Sequence, residues 1–402
     1  MSAPLPADGR VVVVGAALAG LRTVETLRRR GFGGAITVLG DEPHLPYDRP
    51  PLSKAFTAGL DHPETLQLRQ SEGLAVTWRL GVRAVGLDAE RRRVLTDDGR
   101  ETLYDGLVVA TGARPRRLPG LPDTVPGVHE LRTVDDALRL RAELVPGARV
   151  VVVGGGFIGA ELASTCRDRG LDVCVITPLP MMVTALGELA APAADRARRH
   201  GVEVVEGPAV IAVRVDDAAG GRVAAVELAD GTVRPADVVV VAIGVVPATD
   251  WLAGSGALVG SGVVCDDTLA VTGIEGVVAA GDVASWPHPA LGGELLRLEH
   301  WTNATEQAMA AADRLLTGVG RPFAPVPSFW SDQYGIRLQG VGLPGRADAV
   351  EVVEGDPAGD RFVAEYRRDG ALIGAVTAGN VQALLPYRRE LRRRFAVAAA
   401  PV

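Results

Sequence analysis

The most regular hydrophobic pattern in the chain is a run of four valines set between an arginine and a glycine, which occurs twice, with its valines at 11–14 and 150–153. Each run follows an arginine and precedes a glycine, and a helix-like stretch and a second apolar run come next. Such a run predicts a strand buried on both faces of a parallel sheet. The order strand, helix, strand predicts a right-handed βαβ unit. We therefore predict an α/β fold with two Rossmann-like units.

The second unit carries a complete G-x-G-x-x-G pattern, formed by Gly154, Gly156 and Gly159. The first glycine permits a tight turn, the second lets the backbone approach a pyrophosphate, and the third lets the helix pack on the strand. The helix N-terminus then offers free N–H groups to phosphates. Thr177 stands where such a unit usually presents an acid to a ribose, and this departure bears on the choice of cofactor.

The first unit repeats the pattern with one change. Gly15 and Gly20 are present, but Ala17 takes the middle position, which is tolerable if the pyrophosphate lies slightly farther out. Asp41 and Glu42 follow the second strand of this unit and can hold a ribose. Because the pattern occurs twice, each time after an all-valine strand, we predict two dinucleotide sites rather than two glycine-rich turns.

Three later segments fit a chain with two nucleotide-binding domains. Segments 107–116 and 238–252 each read as a strand that leaves through a glycine, as expected where a chain crosses between such domains. Segment 272–284 reads as a strand that ends at Gly281 and Asp282. An aspartate at the carboxyl end of a sheet can accept hydrogen bonds from ribityl or ribose hydroxyls.

Composition argues against several other classes of protein. The 402 residues carry a net charge of −7, so no overall basic field favours nucleic acid. No apolar run reaches the ~18–20 residues of a membrane helix, and the first residues lack the basic-then-apolar order of an export signal. The three cysteines have no metal-ligand spacing. We expect a cytoplasmic protein of two or three domains, without a metal site or membrane partner.

Five motifs resemble those of a known family. They are PYDRPPLSK (46–54), GGGFIGAE (154–161), GVVAAGDV (276–283), EHWTNATEQA (299–308) and FWSDQYGIRLQ (329–339). Together they resemble the flavoproteins of glutathione-reductase fold. More narrowly, they resemble the FAD-containing, NADH-dependent ferredoxin reductases of the putidaredoxin-reductase type, which serve cytochromes P450 and aromatic-ring dioxygenases.

The resemblance implies a division into three domains. A discontinuous FAD domain would comprise residues 1–114 and 245–325, and an inserted NAD domain would comprise 115–244. A C-terminal α+β interface domain, 326–402, would cover the flavin.

The resemblance also bears on the cysteines. Disulfide reductases of this superfamily carry a redox cysteine near the flavin, in the region that here reads PHLPYDRPPLSKAF and has none. We interpret Cys166, Cys174 and Cys265 as buried packing residues. Electrons are therefore expected to leave the flavin directly for an outside acceptor.

Lys54 is the only lysine in the chain, although lysine and arginine together number 42. The resemblance implies that Lys54 and Glu161 form a catalytic pair beside the reactive nitrogen of the flavin. A compact ammonium can stabilise the charge that arrives with hydride, whereas a planar guanidinium would block the nicotinamide. Glu161 would neutralise and orient the lysine. The alternative, a surface lysine, is disfavoured by its place inside the flavin motif.

The resemblance assigns further residues to each nucleotide. For FAD, besides Lys54, they are Gly15, Ala17, Leu18, Ala19, Gly20, Asp41, Glu42, Arg49, Pro50, Val82, Ala110, Thr111, Gly112, Arg132, Gly281, Asp282, Glu299, His300, Trp301, Ala304 and Trp330. For NAD they are Gly154, Gly156, Phe157, Ile158, Gly159, Glu161, Thr177, Ile243 and Gly244.

Some of these assignments have structural alternatives. Arg49 could form a salt bridge instead of contacting FAD, Arg132 could be purely structural, and Trp330 could be a core residue. His300 as a catalytic acid is disfavoured because hydride transfer needs no proton relay there. The helix that follows His300 is expected to be capped by Thr302 or Asn303.

Cofactor choice and partner are predicted with alternatives. NADH is favoured over NADPH because the segment 177–182 contains no cation for a 2′-phosphate. The expected partner is an acidic [2Fe–2S] ferredoxin, docking on a monomer or weak dimer through a basic patch. The candidate patch residues, which could equally form a solvated helix face, are Arg337, Arg388, Arg389, Arg392, Arg393 and Arg394. Alternatives to this function are a rubredoxin reductase, an NADH oxidase, and a redox-sensing flavoprotein of the apoptosis-inducing-factor type.

Overall fold

The two valine runs form parallel strands in the computed structural model, which describes residues 3–122 and 124–398. The strands, in chain order, are β1 (Arg10–Val14), β2 (Ala35–Gly40), β3 (Val76–Leu80), β4 (Ala84–Asp88), β5 (Arg93–Thr96), β6 (Glu101–Leu103), β7 (Gly106–Val109), β8 (Ala113–Pro115), β9 (Val128–Glu130), β10 (Arg149–Val153), β11 (Asp172–Thr177), β12 (Glu203–Glu206), β13 (Val210–Asp216), β14 (Arg222–Leu228), β15 (Val233–Pro235), β16 (Val238–Val241), β17 (Val245–Pro247), β18 (Val263–Val264), β19 (Val277–Ala279), β20 (Ala284–Pro287), β21 (Leu295–Leu296), β22 (Ser328–Gln333), β23 (Ile336–Gly342), β24 (Ala349–Gly355), β25 (Phe362–Arg368) and β26 (Ala371–Ala378).

Helices connect these strands. The α-helices are α1 (Leu18–Arg29), α2 (Ala55–Ala58), α3 (Pro63–Leu66), α4 (Val134–Glu143), α5 (Phe157–Asp168), α6 (Val183–Leu186), α7 (Ala191–Arg199), α8 (Trp301–Thr317) and α9 (Leu384–Ala398). Short 3₁₀ helices cover Pro50–Ser53, Gly187–Ala190, Asp217–Ala219, Asp250–Leu252, Pro289–Leu291, Pro344–Arg346 and Val381–Ala383. None of the helices within the described part of the chain combines the length and the apolar character that crossing a bilayer requires.

The first sheet has the order β19-β7-β1-β2-β3, and its strands pair in parallel. Its valines are fully enclosed: Val13, for example, is 0% exposed. Burial of one such side chain contributes about 1.5–3 kcal/mol. Helices α1 and α8 pack against each other beside this sheet, and α8 also contacts β19. The chain therefore returns to its first sheet after building the second.

The second sheet has the order β12-β11-β10-β16-β9 and is also parallel. Strands β8 and β17 pair antiparallel and link the first and second sheets where the chain crosses between them. Small antiparallel sheets, β4-β5-β6 and β13-β14-β15, flank these layers.

The C-terminal part is an antiparallel sheet of order β22-β23-β26-β25-β24 with α9 packed on β23 and β26. The predicted class, two Rossmann-like α/β units followed by an α+β part, is confirmed. The domain boundaries after residues 114, 244 and 325 stay a prediction. Residues 1, 2, 123 and 399–402 of the predicted domains lie outside the described residues.

Candidate functional site

A cavity of about 1160 Å³ opens at the carboxyl edge of the first sheet. Its wall combines the loop after β1, the start of α5 in the second unit, the start of α8, and β22 of the C-terminal sheet. Ligand pockets usually measure ~300–1,000 Å³, so this cavity can take an unusually large ligand. All three parts of the molecule contribute to one site.

Nearly all of the residues assigned to FAD line this cavity. The exception is Gly20, which is absent from its wall. Of the residues assigned to NAD, only Phe157, Ile158 and Glu161 line it. The others lie on the second unit, away from this wall: Gly154, Gly156, Gly159, Thr177, Ile243 and Gly244.

In the two glycine loops, the backbone of neighbouring residues comes too close to leave room for a side chain. A Cβ on Gly15 would lie 2.1 Å from the carbonyl oxygen of Ala110, and the φ of Gly15 is +124°. Gly154 repeats this arrangement, with φ +112°. A Cβ on Gly20 would lie 2.0 Å from the carbonyl oxygen of Gly15, so Gly20 packs helix α1 on its own loop. The third glycine thus serves packing, as its place in the motif indicates.

Three helices have N-termini that face a glycine loop or the cavity, and none of the three begins with a side-chain cap. Helix α1 starts after Ala17, α5 after Gly156 and α8 after His300, and none has an acidic residue in its first turn. The N–H groups of a first turn have no partner within the helix, so these ends suit an anionic ligand.

The predicted capping of α8 by Thr302 or Asn303 is wrong. The helix already begins at Trp301 with His300 as its N-cap, which places both residues inside the first turn. The Thr302 hydroxyl instead donates to the carbonyl oxygen of Ser328, at 2.9 Å, and ties α8 to β22.

Lys54 and Glu161 meet at the cavity wall, although 107 positions separate them. Lys54 follows the 3₁₀ turn Pro50–Ser53, and its Nζ lies 2.6 Å from Oε2 of Glu161. Ser53 donates to the same oxygen at 2.5 Å, and Ser331 donates to Oε1 at 2.8 Å. Glu161 is only 5% exposed. A buried carboxylate with both oxygens bonded holds the ammonium in one place.

The C-terminal sheet extends this network. Gln333 donates to the Ser331 hydroxyl at 2.8 Å, and both are buried. Phe329, two positions before Ser331, packs on Phe157 of α5 with ring centroids 5.2 Å apart. Ser53, Ser331 and Gln333 were missed from the sequence. Phe329, Ser331 and Gln333 share the buried face of β22, but no pattern in the sequence pairs Ser331 with Glu161.

At the other end of the cavity, Glu42 is bonded on both oxygens. Tyr47 donates to Oε2 and Arg49 to Oε1, each at 2.5 Å. Burial raises the pKa of Tyr47, so its hydroxyl stays a donor. Arg49 thus forms the salt bridge that was the alternative to a ligand contact, and it also lines the cavity. Arg132 lies 3.0 Å from Asp282 across the same wall.

The start of α8 brings polar and aromatic groups to the cavity. The Nδ1 atom of His300 is buried without a hydrogen-bond partner. Burial lowers the pKa of His300 to about 4, so the ring is neutral at pH 7. Trp301 donates to Asp48 at 2.8 Å and meets Trp330 edge-on, with ring centroids 6.4 Å apart. Burial raises the pKa of Asp48.

The three cysteines lie away from this site. Cys166, Cys174 and Cys265 are buried, and burial raises the pKa of each thiol to about 12. Among the described residues that line the cavity there is no cysteine. The thiols are protonated at neutral pH and therefore poor nucleophiles.

Comparison with known proteins identifies the family. The model of the pyridine nucleotide-disulphide oxidoreductases matches residues 9–308, and that of the reductase C-terminal domain matches 328–402. The chain therefore belongs to the pyridine nucleotide-disulphide oxidoreductase family, and the predicted family resemblance is confirmed.

Individual relatives narrow the resemblance. The ferredoxin–NAD(+) reductase component of the p-cumate 2,3-dioxygenase system of Pseudomonas putida is 36% identical over 394 residues, 96% of this chain and 94% of that protein. Rhodocoxin reductase of Rhodococcus erythropolis is 40% identical over 350 residues, 86% of this chain and 80% of that protein. The structure of a covalent putidaredoxin reductase–putidaredoxin complex matches with a TM-score of 0.91 at 30% identity, covering 98% of this chain and 96% of that one.

Proposed function

We propose that this chain is an NADH-dependent flavoprotein reductase that passes electrons to a [2Fe–2S] ferredoxin, which in turn feeds a cytochrome P450 or a ring-hydroxylating dioxygenase. The observation that carries the proposal is the Lys54–Glu161 pair, fixed where both nucleotide units and the C-terminal sheet meet. The relatives described above are named as reductases of this kind, and the match covers most of the length of each. Both facts support the same function. A cytoplasmic location belongs to this proposal.

The cavity suits FAD because polar groups on its wall are unpaired or can accept further hydrogen bonds. The uncapped start of α1 suits a pyrophosphate, and the buried Nδ1 atom of His300 suits a polar edge of the ring system. The carboxylates of Glu42 and Asp282 already pair with Arg49 and Arg132, and their remaining lone pairs can accept hydrogen bonds from hydroxyl groups. When bound, FAD supplies an acceptor for hydride from NADH that can release electrons one at a time.

The side chains around this site have defined tasks in the proposal. The Lys54 ammonium offers a fixed positive charge, and the ion pair with Glu161 keeps it in place. The uncapped N-terminus of α8 adds a second positive end. Neutral His300 contributes a hydrogen bond rather than a proton at pH 7.

A docking surface for the ferredoxin lies on α9 in this proposal. Arg389, Arg392 and Arg394 are exposed there, and Arg388 reaches the hydroxyl of Ser328, a cavity residue, at 3.3 Å. The basic face of α9 therefore adjoins the cavity, where an acidic protein could approach. Arg337, also a candidate, is paired with Asp332 at 2.7 Å and contributes less free charge.

Rapid kinetics on the purified protein test the function against its alternatives. We expect a yellow protein that NADH bleaches without oxygen and that a small [2Fe–2S] ferredoxin reoxidises much faster than O₂ does. Equal reoxidation with and without ferredoxin would indicate an NADH oxidase. A preference for rubredoxin, or very slow reoxidation by every acceptor, would favour the remaining alternatives.

A further inference from the structure

Thr177, where an acid for the ribose is usual, is buried and bonded within its own loop. It closes β11 and is 4% exposed. Its hydroxyl donates to the carbonyl oxygen of Leu179 at 2.8 Å and shapes the loop that follows. The second unit therefore has no carboxylate at the position that usually contacts the ribose.

A carboxylate stands on the neighbouring strand, at the same edge of the sheet. Glu206 closes β12 and lies in register with Thr177. Its Oε1 accepts the amide hydrogen of Met181 at 2.9 Å, and the amide of Met182 donates to the carbonyl oxygen of Gly155 at 2.8 Å. Glu206 is thus joined, through two loop residues, to the glycine loop, and its side chain is 30% exposed.

Segment 177–182 contains no cation for a 2′-phosphate, but helix α7 places one beside Glu206. Arg198, near the end of α7, lies 3.2 Å from the second carboxylate oxygen of Glu206 and is 43% exposed. It also pairs with Asp195 at 3.0 Å. An arginine at the ribose end of such a unit can receive a 2′-phosphate, provided that no carboxylate claims it.

We propose that Glu206 selects NADH over NADPH. Its carboxylate takes the place of the missing acid by accepting hydrogen bonds from the adenosine ribose hydroxyls, and it repels a 2′-phosphate. It also occupies Arg198, which therefore cannot serve that phosphate. This inference rests on the proposed function and assigns its cofactor specificity to a residue on β12 rather than β11.

Equilibrium binding of NAD⁺ and NADP⁺ to the FAD-loaded protein tests this proposal by calorimetry. Glu206→Gln keeps an oxygen for the Met181 amide but removes the charge. We expect it to weaken NAD⁺ binding about tenfold, the value of a lost charged hydrogen bond, and to tighten NADP⁺ binding severalfold. Adding Arg198→Ala should abolish the gain for NADP⁺. Glu203→Gln, at the other end of the same strand, is the matched control and should change neither.

The possible outcomes distinguish failure of this inference from failure of the proposed function. If Glu206→Gln keeps the wild-type ratio of the two affinities, or if Glu206→Ala weakens both nucleotides equally, Glu206 only anchors the loop and the inference is wrong. If the wild-type protein holds FAD but binds neither nucleotide, the proposed function itself fails. Flavin content and circular dichroism of each variant show whether it has folded.

Discussion

At the scale of single residues, the account depends most on Lys54. Lys54→Arg keeps the charge but replaces a compact ammonium, which bonds Oε2 of Glu161, by a wide planar fork that takes up more of the cavity. We expect normal flavin content and a rate of reduction by NADH that falls at least about tenfold. Stopped-flow absorbance measures this rate. Arg139→Lys, on an exposed face of α4, is the control, and an unchanged rate in Lys54→Arg would refute the role of Lys54.

Ser331 is predicted to act as a positioning residue. Ser331→Ala removes the donor to Oε1 of Glu161 and leaves a buried carboxylate oxygen without that partner. We expect flavin reduction to slow about three- to tenfold with little change in the affinity for NADH. Ser331→Thr, which keeps a hydroxyl, should restore most of the rate. Equal loss in both variants would indicate a packing effect instead.

His300 gives a prediction about pH. Its folded pKa of about 4 lies below the ordinary value of ~6.5, because burial disfavours the charged ring. The folded state gains from neutral His300 above pH ~6.5, and this gain is lost as pH falls towards 4, at up to about 1.4 kcal/mol per pH unit. Urea unfolding of His300→Phe should therefore show a shallower loss of stability than the wild type in this window. Parallel profiles would contradict the neutral assignment.

At the scale of elements, each βαβ unit depends on one glycine at the end of its first strand. Gly154→Ala would place a Cβ 2.3 Å from the carbonyl oxygen of Ala242 at φ +112°, a strain of about 1–3 kcal/mol. We expect this variant to keep its flavin and to bind NADH more weakly, whereas Gly15→Ala should lose flavin. Absorbance at the flavin band and NADH titration separate the two effects. Loss of flavin in both variants would mean that the units are not independent.

The elements also show what the sequence alone could predict. Runs such as the valines of β1 and β10 and the glycines after them are local patterns, and their structures follow from backbone geometry. Contacts such as Ser331 with Glu161 join residues 170 positions apart, so no local pattern indicates them. The capping error at Thr302 has the same origin, because the bond of Thr302 to β22 depends on how two distant elements pack.

At the scale of the whole molecule, the central claim is that electrons pass from NADH to a flavin and then directly to a ferredoxin, without a protein thiol. The cysteines support this claim because they are buried, with pKa values of about 12. In this account, the first unit supplies most of the flavin cavity, the second unit supplies the second nucleotide site, and the C-terminal part supplies the basic face of α9.

An anaerobic titration of the flavin with NADH, followed by addition of ferredoxin, tests this claim most directly. Without a redox-active disulfide, about one equivalent of NADH should bleach the flavin completely, and about two equivalents of a one-electron ferredoxin should restore its colour. A requirement for a second equivalent of NADH, or a bleached flavin that ferredoxin leaves reduced, would contradict it.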